Sequence, residues 1–144
     1  MARQSRTFKL RLSPAGMDLL IDSHCYLIRS TRSLLAWGTT LHVAIDCLQS
    51  VPAEILLHEL ARIPATGLSG SEEHHLGAPR ALSKIVSSIA ERISLVGPGR
   101  EQPVIAHIYI IALQNLTRID GAALRIAYER TRKRAATDSD TVLP

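Results

Sequence analysis

The chain has 144 residues, of which 46% are hydrophobic and 21% charged, with a formal net charge of +4. This length suits one domain, or two very small ones, with a real hydrophobic core. No apolar run reaches the roughly 20 residues that a membrane-spanning helix needs, so a transmembrane protein is excluded. Aromatic residues make up only 3% of the chain, and an aliphatic core favours packed helices over a β-sandwich.

The basic N-terminus is not followed by the apolar segment of a signal peptide, so we expect a cytoplasmic protein. Cys25 and Cys47 form no CxxC motif, and we expect both to be buried free thiols in a reducing compartment.

Positive charge is concentrated in two places. Residues 1–17 contain four cationic side chains and no acid, and residues 125–134 contain five cations against Glu129. The middle of the chain between these two segments is close to neutral. Fourteen of the 17 cationic residues are arginines. This excess is weak support for nucleic-acid binding, because the arginine guanidinium can donate two hydrogen bonds to a phosphate or to the edge of guanine.

The first predicted element is a strand at residues 7–12, where Phe8, Leu10 and Leu12 alternate with polar residues. Ser13 and Pro14 then favour the start of a helix, as an N-cap residue and a first-turn proline. This is the only segment of the sequence in which we predict a strand.

Helical periodicity dominates the remainder. Residues 29–33 form a polar break between the first two helices, and residues 65–79 lack periodicity and are interpreted as the main linker. The second helix has a broad apolar stripe, and the helix after Pro103 is apolar on nearly every side, so we expect both to be largely buried. The predicted helices cover about residues 14–28, 34–51, 54–63, 82–96, 104–118 and 121–134.

A lone strand in a helical chain needs a partner for its backbone hydrogen bonds. The simplest source is the same strand of a second copy, which predicts a homodimer. The resulting antiparallel ribbon would direct Thr7, Lys9 and Arg11 outward, and a two-stranded ribbon fits the major groove of DNA.

The order of basic arm, TFKLRLSP, helix, RSTRS and apolar helix resembles the ribbon-helix-helix DNA-binding family, over about residues 4 to 50. The resemblance implies that Thr7, Lys9 and Arg11 read base edges. It also implies that the start of the second helix holds a phosphate. The residues expected to contact DNA phosphates are Arg3, Arg6, Ser30, Thr31, Arg32 and Ser33.

We therefore expect a mainly α protein with four parts. Residues 1–52 form the ribbon-helix-helix unit, 53–79 a short helix and linker, 80–134 a helical extension, and 135–144 a disordered tail. The extension would serve oligomer contacts. Alternatively, the extension is a second, diverged ribbon-helix-helix unit, which would make the chain a single-chain fused dimer. Residues 71–75 argue against this alternative, because they are acidic where the strand that contacts DNA bases should be basic.

The expected function is sequence-specific binding of double-stranded DNA, as a transcriptional repressor or as an accessory factor in DNA transfer such as plasmid conjugation. The cluster at 125–134 is interpreted as a second backbone contact or a solvated helix end. The alternative function is an all-helical protein-protein interaction module, such as an adaptor or anti-activator, that does not bind DNA. No acid/base pair, metal-ligand set or nucleophile arrangement is evident, so we expect no enzyme activity, metal or cofactor.

Overall fold

The computed structural model describes the backbone of residues 5–141 and the side chains of residues 9–134. Over this range the protein is mainly helical and contains one short antiparallel sheet. The chain order is β1 (Ser5–Leu12), α1 (Pro14–Thr31), α2 (Trp37–Leu48), α3 (Ala53–Thr66), β2 (Glu72–Pro79), α4 (Ala81–Val96), α5 (Ile105–Thr117) and α6 (Gly121–Thr141), with a 3₁₀ turn at Pro98–Arg100 between α4 and α5.

Strand β1 pairs antiparallel with β2 of the same chain, in a register that places Arg11 opposite Glu73 and Lys9 opposite His75. This corrects two expectations. The segment 65–79, interpreted as a linker, contains a strand, and β1 finds within its own chain the partner that we had expected from a second copy. The reason for expecting a homodimer therefore no longer applies.

Helix α1 begins as predicted and ends later than predicted. The Ser13 hydroxyl accepts a hydrogen bond from the Gly16 N–H at 3.1 Å, and Pro14 occupies the first turn. The helix continues to Thr31 and ends at Arg32, which adopts the left-handed conformation with φ 56°. The polar break that we placed at 29–33 therefore lies mostly inside α1, and α2 begins only at Trp37.

Helices α2 and α5 pack against each other at the centre of the molecule. Every residue of α2 from Thr40 to Leu48 is buried, and so is every residue of α5 from Ile108 to Leu113. The prediction that these two helices are largely buried is confirmed. Most of their apolar surface is covered by the chain's own helices and by β2.

The element order β-α-α-α occurs twice, as β1 to α3 and as β2 to α6. The two halves are interleaved. Helix α1 packs on α5 and α6 of the other half more extensively than on α2, and α4 correspondingly packs on α2 and α3. One continuous core results, to which both halves contribute.

The remaining boundaries are close to those expected. Helix α3 runs through Pro64 to Thr66, so the proline lies in its last turn and does not end it. Asp120 caps α6 by accepting a hydrogen bond from the Ala122 N–H at 3.1 Å. Helix α6 extends to Thr141, whereas we expected a disordered tail from residue 135, and residues 142–144 lie outside the described range. Among the described residues, no helix has the length and hydrophobicity needed to cross a membrane.

Candidate nucleic-acid interface

The ribbon formed by β1 and β2 has one face on the core and one face directed outward. Leu10 and Leu12 are completely buried, whereas the side chains of Lys9 and Arg11 are 61% and 65% exposed. Because side chains alternate across a strand, burial of the two leucines determines that both cations face away from the helices. The outward direction predicted for Lys9 and Arg11 is confirmed.

Strand β2 contributes Glu73 and His75 to the same outer face, since these residues lie opposite Arg11 and Lys9. One carboxylate oxygen of Glu73 lies 3.5 Å from Arg11 Nη2 and 3.7 Å from Lys9 Nζ. The two cations are therefore held beside a single acid. This arrangement differs from the expectation, because the acidic and histidine-rich composition of residues 71–75 suggested a loop.

A weak signal for β2 is nevertheless present in the sequence. His74, Leu76 and Ala78 alternate with residues that are more exposed, and Ala78 is buried. An alternating pattern that contains only two apolar residues is too short to distinguish a strand from a loop. The strand is specified by its pairing with β1, between residues sixty or more positions apart in the sequence.

The other residues expected to contact DNA from β1 and the arm are only partly described. Thr7 lies in β1 opposite Gly77, and Arg6 lies opposite Ala78. The side chains of both residues are outside the described range, and Arg3 is outside it altogether. Their roles remain predictions.

The residues expected to hold a phosphate at the start of the second helix are not located there. Ser30 and Thr31 belong to α1, where their hydroxyls donate to the carbonyl oxygens of Tyr26 and Leu27, both at 2.9 Å. Hydroxyl groups that bond to the preceding turn are engaged by their own helix. The placement of these two residues at a helix N-terminus is therefore wrong.

Arg32 and Ser33 lie between the two helices. Arg32 is the C-cap of α1, and the Ser33 hydroxyl donates to the Thr31 carbonyl at 3.3 Å. The first turn of α2 instead rests on β2, since a Cβ at Gly38 would lie 1.7 Å from the Gly77 carbonyl oxygen. Only glycine permits this approach of helix to strand.

The basic cluster at 125–134 has partners that its sequence did not reveal. Arg130 Nε and Nη2 donate to Asp46 Oδ2 at 3.0 and 2.7 Å, and Arg134 Nη1 donates to Asp46 Oδ1 at 2.6 Å. Arg125 Nε donates to the Ser30 carbonyl oxygen at 3.2 Å, and Arg132 lies 3.5 Å from Glu129. Part of this cluster therefore attaches α6 to α2 and α1, while the side chains of Arg130 and Arg134 stay 46% and 53% exposed. The cluster is solvated as interpreted, but it does not lie at a helix end, because α6 continues to Thr141. Its role as a second DNA backbone contact stays a prediction.

Two buried histidines, His24 and His42, lie in the core. The His24 ring stacks on Trp37 with centroids 4.0 Å apart, and its Nδ1 lies 2.6 Å from the Thr40 hydroxyl oxygen. Burial lowers the pKa of His24 below its ordinary value.

The two cysteines are free, but they differ in exposure. Cys47 is buried, and its burial together with the neighbouring Asp46 raises the thiol pKa to about 11. Cys25 is exposed, which corrects the expectation that both thiols are buried.

No group of three or more His, Cys, Asp or Glu side chains is placed to hold a metal ion within the part of the chain that the structure describes. Comparison with known proteins yields no matching family model, no matching curated protein and no matching solved structure.

Proposed function

We propose that the protein binds double-stranded DNA in a sequence-specific manner, with the β1-β2 ribbon inserted in the major groove. The observation that carries the proposal is the exposed pair Lys9 and Arg11 on the outer face of a ribbon whose inner face is anchored by Leu10 and Leu12. A two-stranded ribbon fits a groove about 12 Å wide, and lysine and arginine both donate to guanine O6 and N7.

Anchoring of the inner face supports a reading role over non-specific attraction. Each leucine is fully buried, so sliding β1 by one residue would move a leucine into water and a cation into the core. The register is therefore strongly specified, and the positions of the two cations along the groove are specified with it. Contacts at set positions are what base readout requires.

We further propose that the chain acts as a single-chain equivalent of a ribbon-helix-helix dimer, in which β1-α1-α2 of the first half and β2-α4-α5 of the second half correspond to the two subunits. Support comes from the repeated order of elements and from the packing of each first helix on the other half. Because both strands belong to one chain, a monomer contains the complete ribbon. The biological role that fits such a protein is repression of transcription or assistance in DNA transfer.

A binding titration tests the proposal. Duplexes enriched from a random pool are labelled, and fluorescence anisotropy compares the wild type with Lys9→Ala, Arg11→Ala and the double variant. Loss of one specific base contact costs about 1–3 kcal/mol, so each single variant should bind its selected duplex about fivefold to a hundredfold more weakly.

A charge-matched control separates reading from general attraction. Arg62→Ala removes an exposed cation from α3 and should leave the affinity within about twofold of the wild type. Equal affinities for wild type and the Lys9/Arg11 double variant would refute the proposed interface.

The alternative of a protein-protein interaction module would need the apolar helix after Pro103 to contact a partner protein. This helix corresponds to α5, and most of its apolar residues are buried against other parts of the same chain. The observation that favoured the alternative is thereby accounted for by the protein's own core.

A further inference from the structure

The outer face of the ribbon is chemically different on its two strands. Strand β1 presents Lys9 and Arg11, whereas β2 presents Glu73 and His75 at the positions directly opposite. A ribbon made from two identical strands would present the same side chains on both. The functional consequence of the difference depends on Glu73, the acid that both cations contact.

We propose that Glu73 is a specificity-determining residue of the DNA interface, an inference that rests on the proposed function. Its carboxylate disfavours DNA that offers only anionic phosphates and base acceptors, and it accepts a hydrogen bond from the amino group of a cytosine in the preferred site.

The geometry supports the first half of this role. A single oxygen of Glu73 lies within 3.7 Å of Lys9 Nζ and 3.5 Å of Arg11 Nη2, so one acid offsets part of the charge of both cations. All three side chains are at least a third exposed, and ion pairs in such a setting are weak. Any DNA phosphate that binds Lys9 or Arg11 must compete with Glu73 for the cation. Because the ion pairs are weak, a guanine whose O6 and N7 face the cation can displace Glu73 from it.

The chemistry of the carboxylate supports the second half. An ionised glutamate only accepts hydrogen bonds. In the major groove, guanine N7 and O6 and thymine O4 are also acceptors. Adenine N6 is a donor, but the acceptor N7 lies beside it, whereas cytosine N4 is a donor without an adjacent acceptor and pairs well with glutamate. Once Lys9 and Arg11 move to guanine, Glu73 is left desolvated in the groove unless such a donor faces it, and an unpaired buried charge is costly.

The same asymmetry affects the form of the DNA site. Donors come from β1 and the acceptor comes from β2, so a two-fold rotation of the ribbon would exchange unlike groups. The preferred duplex should therefore be non-palindromic, with guanines under one strand and a cytosine under the other.

The experiment compares two glutamines that cause the same change in charge. Glu73→Gln removes the acid from the outer face, and Glu72→Gln removes its neighbour, whose side chain is 63% exposed and lies beside His74. Both variants are first checked by thermal denaturation, and both should melt close to the wild type because each position is at the surface. Affinity for selected and random duplexes is then measured across 50 to 200 mM salt.

For Glu73→Gln we expect binding to random-sequence DNA to become about twofold to fivefold tighter. The slope of log affinity against log salt should steepen by about 0.9, because one further phosphate is neutralised. Preference for cytosine at one position of the selected site should fall by about tenfold. Glu72→Gln should retain the wild-type base preference and salt slope.

The outcomes separate this inference from the function on which it rests. If the wild type enriches no duplex from the random pool, the proposed function itself is wrong. If the wild type does select a site, but Glu73→Gln keeps the cytosine preference and the salt slope of Glu72→Gln, DNA binding stands and the role of Glu73 is refuted.

Discussion

Asp46 provides a quantitative test of how the two halves are held together. This residue lies in α2 with 4% of its surface exposed, and it accepts three hydrogen bonds from Arg130 and Arg134 of α6. Asp46→Asn preserves the shape of the side chain and removes its charge. Two guanidinium groups then face a neutral amide that can accept on only one of its two polar atoms.

The expected loss of stability follows from the burial of the partners. Removing one member of a fully buried ion pair costs about 3–5 kcal/mol. Here the side chains of Arg130 and Arg134 are 46% and 53% exposed, so water can solvate them after the change and the loss is smaller. We expect a decrease of about 2–3 kcal/mol in the free energy of unfolding, equivalent to a melting temperature lower by about 5–10 °C for a chain of this size.

Urea and thermal denaturation measure this change, with Asp18→Asn as the control because Asp18 is exposed on α1. A double-mutant cycle of Asp46→Asn with Arg130→Ala should give a coupling free energy of at least about 1 kcal/mol, since the two residues share hydrogen bonds. A stability within about 0.5 kcal/mol of the wild type, with no coupling to Arg130, would show that α6 does not depend on this contact.

Two further predictions concern titratable groups in the core. The pKa of His24 is lower in the folded protein than its ordinary value of 6.5, so the unfolded chain takes up the proton first. The stability contributed by neutral His24 is complete above about pH 6.5 and is lost as pH falls towards the folded pKa. The urea midpoints at pH 7.5 and 5.5 should therefore differ less in His24→Gln than in the wild type. An unchanged difference between the two midpoints would contradict the lowered pKa of His24. The thiol of Cys47 has a pKa of about 11 and is protonated near neutral pH, so iodoacetamide at pH 8 should alkylate exposed Cys25 and spare Cys47 in the folded protein, as read by peptide mass spectrometry. Equal rates at the two cysteines would show that Cys47 is not buried.

Local patterns in the sequence were sufficient for the helices and for β1. The start of α1 is encoded by Ser13 and Pro14, and the burial of α2 and α5 follows from their broad apolar surfaces. These are properties of short windows of sequence, in which capping and periodicity act directly.

Features that depend on distant partners were missed. Strand β2 has little apolar alternation of its own and forms because β1 is available to pair with it. The predicted end of α1 is too early because Ser30 and Thr31 fall in a polar segment that suggests a break between helices, whereas their hydroxyls bond within α1. The cations at 130 and 134 were counted as free charge because Asp46, more than eighty residues away, could not be recognised as their partner.

The most direct test of the central claim is the affinity of the Lys9→Ala/Arg11→Ala double variant for a duplex selected by the wild type, measured by fluorescence anisotropy at constant salt. We expect the double variant to lose at least about tenfold in affinity for the selected duplex, because two base contacts are removed. We also expect the variant to discriminate less between selected and random sequences. An unchanged affinity, with selection intact, would contradict the assignment of the ribbon as the DNA-reading surface.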